Sequence, residues 1–283
     1  MGKAMLVFQT DFTYKEGAVC SMYGVVKSVD RSLEIITGTH EIPQFDTWSA
    51  SYRLYQSMKF WPRGTVFVSV VDPGVGTPRK ASVALTENGY YIVTPDNGSL
   101  THVDAVFGIK EIREIDETVN RLKGKDTEDV SIFHGRDLFS YCAAKLASGI
   151  INFEQVGPLY PNSGILRFPI LEPSVEDNKV SGIFEINDPN FGNLWTNIPL
   201  VDFKSAGFEF GDYLDLKIFH HGEEKFSDKL LFHKSFGFAE KGNPMIYNNE
   251  LMKISLAVSQ GSFSEQYNLG YGSDWIVEFT RRS

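Results

Sequence analysis

The first half of the chain alternates short apolar runs with helical patterns, and this alternation constrains the fold more than any other feature. Residues 4–9 (AMLVFQ) and 65–71 (TVFVSVV) are uncharged and mostly apolar, which is typical of strands buried on both faces. Apolar residues recur at helical spacing over 15–29 and again over 48–58. Further elements are predicted as strands at 33–37, 81–86 and 90–94 and as a helix at 135–149. Alternation of strand and helix predicts a largely parallel sheet covered by helices.

The second half of the chain lacks this alternation of strand and helix patterns. Residues 158–178 contain four prolines and end in acidic residues, so they are predicted to be a linker. Beyond them, turns rich in Gly, Asn and Asp separate short strand candidates at 180–187, 213–219, 229–234, 251–258 and 274–279. This spacing predicts an all-β sandwich or small barrel. The expected fold class is therefore α/β over residues 1–168, with a largely parallel, helix-covered sheet, followed by a smaller all-β, barrel-like domain over 176–283.

Charge and composition exclude several functional classes. The formal net charge is −9, whereas proteins that bind DNA or RNA neutralise phosphates with Lys and Arg, so no nucleic-acid partner is expected. No run approaches the roughly 18 apolar residues of a bilayer-spanning helix, and Asp11 interrupts the apolar N-terminal stretch. We therefore expect a cytoplasmic protein without a membrane partner. Cys20 and Cys142 are predicted to be buried free thiols, and the histidines lack the HExxH and HxxxH spacings, so no metal site is expected.

Polar clusters follow several of the predicted strands. Asp11 follows the first strand, Asp72 follows the strand at 65–71, and the sequence PDNG at 95–98 follows the strand at 90–94. A fourth cluster, FHGRD at 133–137, opens a predicted helix. Each cluster alone is explained by the preference of Asp for turns and helix caps. Ligands of open α/β sheets bind at the carboxyl ends of the strands, so the shared position of these clusters predicts an active site there.

The turn from Asp72 to Thr77 (DPGVGT) brings the backbone close to a neighbouring group, because its glycines carry no Cβ. It lacks the Lys-Ser/Thr ending of a phosphate-binding loop. Arg79 is close enough in sequence to fold back on Asp72 as an ion pair, for which a structural role is the commoner outcome. His134 precedes a helix, whose dipole is expected to lower its pKa. It is either a structural histidine or a general base or water-orienting group.

Two further features have both a structural and a functional interpretation. Asp11 either caps the following helix or accepts hydrogen bonds from a vicinal diol such as that of ribose. The segment 187–197 (NDPNFGNLWTN) is dense in Asn and aromatic residues. Its amides and rings suit the edge and face of a nucleobase, although an Asn- and Gly-rich turn with two core aromatic residues is the simpler interpretation.

Taken together, five motifs resemble one known family. They are TDF at 10–12, VVDPGVGT at 70–77 with Arg79, TPDNG at 94–98, FHGRD at 133–137 and FGNLWTN at 191–197. Their combination and order resemble the S-adenosyl-L-methionine (SAM) hydroxide adenosyltransferases, or SAM hydrolases, which are relatives of the fluorinase and chlorinase enzymes. The motifs extend over both halves, so the resemblance covers nearly the whole chain.

The resemblance implies an α/β domain, a β-barrel domain, and a homotrimer that binds SAM between one subunit's N-terminal domain and a neighbour's C-terminal domain. It implies that water attacks C5′ of SAM and releases adenosine and L-methionine, with SAM as substrate and no cofactor. The residues that match the family's water-activating triad are Asp72, Arg79 and His134. The residues that match its substrate contacts are Asp11 for the ribose diol, Phe45 for the ribose face, Asp188 for the methionine ammonium, and Phe191, Asn193 and Trp195 for adenine.

Two departures from the family pattern leave alternatives open. Thr13-Tyr14-Lys15-Glu16 replaces the usual glycine and acidic residue after TDF, and 249–253 (NELMK) replaces a segment that helps to hold the methionine carboxylate. The second departure motivates a non-catalytic SAM or adenosine binder as one alternative. A SAM-dependent halogenase is another, although halogenases carry other residues at positions 72 and 134, and the fluorinase has a serine donor where this chain has Gly135.

Overall fold

The computed structural model of the protein describes residues 2–124 and 133–281. The chain divides into two units, Met1–Phe168 and Pro169–Ser283. The domains predicted from the sequence are 1–168 and 176–283. The first part of the predicted linker, up to residue 168, is part of the first unit. Ile165 is buried there, and the backbone N–H of Leu166 donates to Asp96 Oδ1 at 2.9 Å. The prolines in this stretch therefore shape a packed segment rather than a free connection.

The first unit is an α/β domain, as expected. Its elements, in chain order, are β1 (Leu6–Thr10), α1 (Ala18–Val29), β2 (Ile35–Thr39), α2 (Thr47–Met58), β3 (Val66–Val70), β4 (Ala81–Thr86), β5 (Tyr91–Pro95), α3 (Thr101–Phe107), β6 (Ile109–Glu114), α4 (Glu117–Asn120), a π-helical turn (Gly135–Ser140) and α5 (Tyr141–Ser148). Short 3₁₀ turns follow at Glu154–Val156 and Asn162–Gly164. The sheet order is β2-β1-β3-β5-β4-β6. Pairings among β2, β1, β3 and β5 are parallel, whereas β4 is antiparallel to both neighbours, so the sheet is mixed.

Helices cover both faces of β1, which explains its apolar sequence. Phe8 belongs to a buried core that includes Val26 of α1 and Ala143 of α5. Gln9 points to the opposite face, where its Nε2 donates to the backbone oxygen of Ala50 in α2 at 2.7 Å. A strand enclosed in this way needs apolar side chains throughout or polar ones with buried partners.

Parallel register brings the ends of three strands to one edge of the sheet. Thr10, the last residue of β1, is paired with Val70, the last residue of β3. The side chain of Asn97, just past β5, donates to the backbone oxygen of Val71 at 2.9 Å. Asp11 and Asp72 therefore leave adjacent strands at the same level, as the sequence predicts.

The second unit is all-β and close to a barrel, which confirms the second half of the predicted fold class. Its elements are β7 (Ser174–Glu176), β8 (Lys179–Asp188), β9 (Asn193–Pro199), α6 (Leu200–Ser205), β10 (Tyr213–His220), β11 (Glu223–Leu231), a 3₁₀ turn (Phe236–Phe238), β12 (Pro244–Asn248), β13 (Lys253–Val258), α7 (Phe263–Tyr267) and β14 (Gly272–Thr280). The named strands pair antiparallel in the order β11-β10-β14-β8-β9-β13-β12, and β7 pairs with β8. An isolated β-bridge joins Phe232, the residue after β11, to Ile246 of β12. The two outermost strands of the sheet, β11 and β12, therefore meet.

The aromatic residues of the second unit build its core. Phe203 of α6 is fully buried and makes edge-to-face contacts with Phe208, Phe232 and Phe279, at ring-centroid distances of 4.8, 5.1 and 5.0 Å. Such pairs add to the free energy of burying the rings. The sequence does not predict α6, because six residues are too few to show a helical period.

Two sequence predictions about local environment need correction. Cys20 is exposed, because it lies on the outer face of α1, whereas Cys142 is buried and its burial raises the pKa of the thiol to about 12. The polar, charged sequence from residue 115 predicts an exposed loop, but this segment contains α4, and Asn120 is buried there with its amide donating to two backbone oxygens. Residues 125–132 lie outside the described part of the chain. No helix within residues 2–124 and 133–281 is long and apolar enough to cross a membrane.

Candidate active site

The turn after β3 folds Arg79 back onto Asp72. Gly76 has a φ of +77°, a left-handed conformation that favours glycine, and Thr77 Oγ1 donates to the backbone oxygen of Gly74 at 2.6 Å. A Cβ at Gly74 would lie only 3.2 Å from Cγ of Arg79. The glycines of this turn therefore make room for the arginine side chain to cross it.

Asp72, Arg79 and His134 form one chain of hydrogen bonds. Arg79 Nε donates to Asp72 Oδ1 at 2.9 Å, and its Nη2 donates to Asp72 Oδ2. The same Nη2 lies 2.8 Å from Nδ1 of His134. All three side chains are almost completely buried, and the guanidinium lies over the ring of Phe139 at 5.3 Å. The structure thus brings the three predicted triad residues together at the strand-end edge.

Arg79, the hydrogen-bond partner of His134, determines which nitrogen of the His134 ring carries the proton. A guanidinium only donates hydrogen bonds, so Nδ1 must accept, and the neutral ring then carries its proton on Nε2. Burial lowers the pKa of His134, and the positive charge of Arg79 lowers it further. The direction of this pKa shift is the one that the sequence predicts. His134 Nε2 is buried and has no hydrogen-bond partner among the described residues.

Asp11 belongs to the same site. Its Oδ2 accepts a hydrogen bond of 2.9 Å from the backbone N–H of Phe45, a residue in a left-handed conformation with φ of +64°. Burial raises the pKa of Asp11, the two backbone hydrogen bonds from Phe45 and from its own N–H lower it, and the negative charge of Asp72 raises it. Asp11 therefore does not cap α1, whose N-cap is Gly17. The side chain of Phe45 is largely exposed beside this carboxylate.

Gly135 lies next to His134 in a confined position. A Cβ on Gly135 would lie 2.8 Å from the ring of Phe133 and 3.2 Å from the ring of Phe12. These two rings pack edge-to-face with centroids 5.6 Å apart. A serine side chain at this position would require both rings to move.

The PDNG cluster has a structural role. Asp96 is buried, and its carboxylate accepts hydrogen bonds from the Tyr160 hydroxyl at 3.0 Å and from the backbone of Leu166 at 2.9 Å. Asn97 binds the backbone oxygen of Val71. This cluster ties the end of β5 to β3 and to the segment at 160–168, so it holds the site together without entering it.

The second unit contains a groove of about 940 Å³ by itself. The turn between β8 and β9 forms one side of it, and the predicted residues Asp188, Phe191, Asn193 and Trp195 all line it. Phe191 is exposed at the turn, whereas Asn193 and Trp195 are buried on β9. A groove of this volume is large enough for a nucleoside-sized ligand.

Glycine shapes this turn as well. Gly192 has a φ of +67°, and a Cβ there would lie 1.9 Å from Ser262 Oγ, so a larger residue does not fit. The backbone N–H of Gly192 donates to the backbone oxygen of Asp188 at 2.7 Å, and that of Asn190 donates to the Asp188 carboxylate at 3.1 Å. The turn thereby fixes Asp188 at the rim of the groove while Phe191 projects outward.

Asn249 lines the groove and is the first residue of the segment 249–253, which departs from the family pattern. Its Oδ1 accepts from the backbone N–H groups of Leu251 at 2.9 Å and Lys253 at 3.1 Å, which closes the altered segment into a tight turn. Its buried Nδ2 has no hydrogen-bond partner within the described part of the chain. Lys253 instead pairs with buried Glu185 at 2.6 Å. The unusual segment therefore still contributes to the groove lining a residue with an amide donor.

Comparison with known proteins identifies the family. Residues 6–157 match the family model for the SAM hydroxide adenosyltransferase N-terminal domain, and residues 184–276 match the model for the corresponding C-terminal domain. The two matches cover most of the chain in the expected order. The protein belongs to the SAM hydroxide adenosyltransferase family.

Individual relatives include two kinds of enzyme. The chain is 32% identical over 272 residues to the (R)-S-adenosyl-L-methionine hydrolase of Methanocaldococcus jannaschii, covering 94% of this chain and 93% of that protein. It is 28% identical over 296 residues to a fluorinase from Actinoplanes sp., covering 96% of each chain. A crystal structure of an uncharacterized conserved protein from Thermotoga maritima superposes with a TM-score of 0.86 at 35% identity, covering 98% of this chain and 100% of that one.

Proposed function

We propose that the protein is an enzyme that hydrolyses SAM, with water attacking C5′ to give adenosine and L-methionine. The observation that carries the proposal is the buried array of Asp72, Arg79 and His134, which ends in a histidine nitrogen without a partner among the described residues. Hydrolase relatives that match over nearly the whole chain support the same reaction. The positively charged sulfonium also suits a chain with a net charge of −9.

In the proposed mechanism, the triad positions the water. His134 donates from Nε2–H to the water oxygen, which leaves a lone pair free to attack C5′. The carboxylate of Asp72 has lone pairs beyond the two that Arg79 occupies, and it receives one proton of the water. The C5′–S bond breaks as the C5′–O bond forms, and sulfur leaves with the electron pair as the neutral thioether of methionine. The proton then passes to solvent, so SAM and water yield adenosine, methionine and one proton.

The proposal assigns the substrate contacts in the same way. Asp11 binds the ribose diol and Phe45 packs on the ribose, while Phe191, Asn193 and Trp195 bind adenine. Asp188 receives the methionine ammonium. The free Nδ2 of Asn249 is suited to the methionine carboxylate, because a charged acceptor is the strongest partner for an amide donor. The family resemblance implies that these groups meet in a homotrimer, and we include that assembly in the proposal.

Turnover in ¹⁸O-labelled water tests the proposed reaction. We expect one labelled oxygen in the 5′-hydroxyl of adenosine and none in methionine, measured by mass spectrometry of both products. Attack on the methionine side chain instead would give methylthioadenosine and homoserine, and those products would contradict the proposal. Supplying the two sulfonium epimers of SAM separately shows whether the chain shares the (R) preference in its relatives' name.

A SAM-dependent halogenase is the second candidate, because fluorinase relatives match over the same length. The confined position of Gly135 argues against it, since a serine donor does not fit there without movement of Phe12 and Phe133. Incubation with SAM in fluoride or chloride buffer separates the candidates. A halogenated nucleoside in place of adenosine would favour the halogenase.

The pH dependence of kcat reports on His134. Protonation would place a proton on Nδ1, facing the donor group of Arg79, and would break the triad. Because the pKa of His134 is lowered, the neutral ring persists below the usual histidine pKa of about 6.5. We expect the acid limb of kcat to be centred below pH 6.5, with circular dichroism confirming that the fold is intact there. An acid limb centred at or above pH 6.5 would contradict this role.

A further inference from the structure

Three side chains of types that can bind a metal ion converge in the barrel domain. They are His220 at the end of β10, His221 in the following turn and Asp274 on β14. One ligand atom from each residue lies within 4.8 Å of the others. None of the three is among the residues that line the groove. Histidine spacings along the chain do not reveal this cluster, because Asp274 meets the two histidines only through the pairing of β10 with β14.

The turn between β10 and β11 places the two histidines side by side. His220 pairs with Glu223, so His221 and Gly222 form a two-residue hairpin loop, with φ of +50° and +80°. Adjacent residues in a strand point to opposite faces, but the left-handed turn redirects the second side chain. The two imidazole centroids are consequently only 4.0 Å apart.

The third ligand comes from the neighbouring strand. β10 and β14 pair with His220 opposite Trp275, which places Asp274 beside the hairpin turn. The indole of Trp275 stacks on the His220 ring with centroids 4.1 Å apart and planes within 10° of parallel. This stacking holds the ring of His220 in one orientation, which is the usual task of residues that surround metal ligands.

The two distances from Asp274 to the histidines suit a small divalent ion. Asp274 Oδ2 lies 3.1 Å from His220 Nε2 and 3.3 Å from His221 Nε2. Zinc bonds of about 2.0–2.1 Å to nitrogen and oxygen place tetrahedral ligand atoms roughly 3.3–3.4 Å apart. Two imidazoles and a carboxylate are the donor types that zinc takes when a fourth position is left to water. The partial exposure of all three side chains leaves such a position open.

We propose that His220, His221 and Asp274 bind a divalent ion such as Zn²⁺. The bound ion would link the β10–β11 hairpin to β14. The alternative is a simple ion pair between Asp274 and protonated histidines. That alternative leaves two imidazole rings with centroids 4.0 Å apart sharing one carboxylate oxygen, whereas one divalent ion takes a ligand atom from each of the three side chains. This site is independent of the proposed SAM chemistry.

Zinc titration of untagged protein tests the site. A Cys20→Ser background removes the exposed thiol as a competing ligand. Calorimetry with ZnCl₂ should give one ion per chain, and His221→Ala or Asp274→Asn should each weaken binding by at least about tenfold, or ~1.4 kcal/mol. His233→Ala, a histidine of the same domain outside the cluster, should leave the affinity unchanged. Equal binding by the His220→Ala/His221→Ala double variant and the parent would overturn the proposal, as would no binding by the parent.

A second measurement avoids substitutions that could disturb the hairpin. In protein labelled with ¹⁵N-histidine, Zn²⁺ should shift the ring signals of two of the six histidines. Shifts confined to other histidines, or no shifts, would reject the site. Because the cluster does not line the groove, kcat with SAM should be the same with zinc and with chelator, and a failed hydrolysis assay would leave the zinc result intact.

Discussion

Replacing His134 with alanine is expected to lower kcat for SAM hydrolysis by about 10²-fold or more. The substitution removes the Nε2–H that positions water in the proposed mechanism, but it leaves the Asp72–Arg79 ion pair in place. The domain should therefore fold, which a thermal melt can verify. Steady-state adenosine formation, followed by liquid chromatography, measures kcat and KM separately.

Asp72→Ala should lower kcat by a similar factor, because it removes both the proton acceptor and the ion-pair partner of Arg79. Groups that act as a unit lose their effect together, so the Asp72→Ala/His134→Ala double variant should be no slower than the worse single variant. Asp104→Ala is the matched control, since Asp104 also pairs with an arginine, Arg167, in the same unit at 2.7 Å. Its kcat should be near that of the wild type.

These variants also test the non-catalytic alternative. A protein that only binds SAM or adenosine would show tight binding of SAM without turnover, and Asp72→Ala would not change that affinity much. Near-wild-type turnover in both His134→Ala and Asp72→Ala would instead show that the hydrolytic machinery lies elsewhere.

The sequence predicts the position of the site better than its internal geometry. Strand ends are predictable because apolar runs stop abruptly at Asp11 and Asp72, and parallel pairing must then bring those ends together. Whether Arg79 returns to Asp72 depends on the left-handed Gly76 and the space beside Gly74, which are properties of the folded turn. The lowered pKa of His134 likewise has its origin in burial and in Arg79, a residue 55 positions away.

Long-range pairing also explains what the sequence analysis misses. Asn249 lines the groove because β12 and β13 enclose a tight turn, and the sequence of 249–253 alone gives no sign of this. His220 and Asp274 are 54 residues apart, so their meeting depends on the β10–β14 register. Short elements such as α6 are too brief to show periodicity. The missed features are those that only tertiary structure defines.

Replacing Asp11 with asparagine is expected to lower kcat/KM for SAM by about 10- to 100-fold, chiefly through KM. Hydrogen bonds to a charged acceptor contribute about 1.5–3 kcal/mol, and a ribose diol would lose this contribution both before and during reaction. Asparagine retains an oxygen for the backbone N–H of Phe45, so the loop should keep its conformation. Asp46→Asn in the same loop is the control, because asparagine also caps α2 and the change in charge is the same.

A substrate lacking the 2′-hydroxyl makes this test specific for ribose. The wild type should process 2′-deoxy-SAM with a kcat/KM lowered by a factor similar to that of Asp11→Asn with SAM. If Asp11 binds that hydroxyl, the two losses share one interaction, so the variant should discriminate little between the two substrates. Full additivity of the losses would show that Asp11 acts on the site in another way, for example through its electrostatic interaction with Asp72.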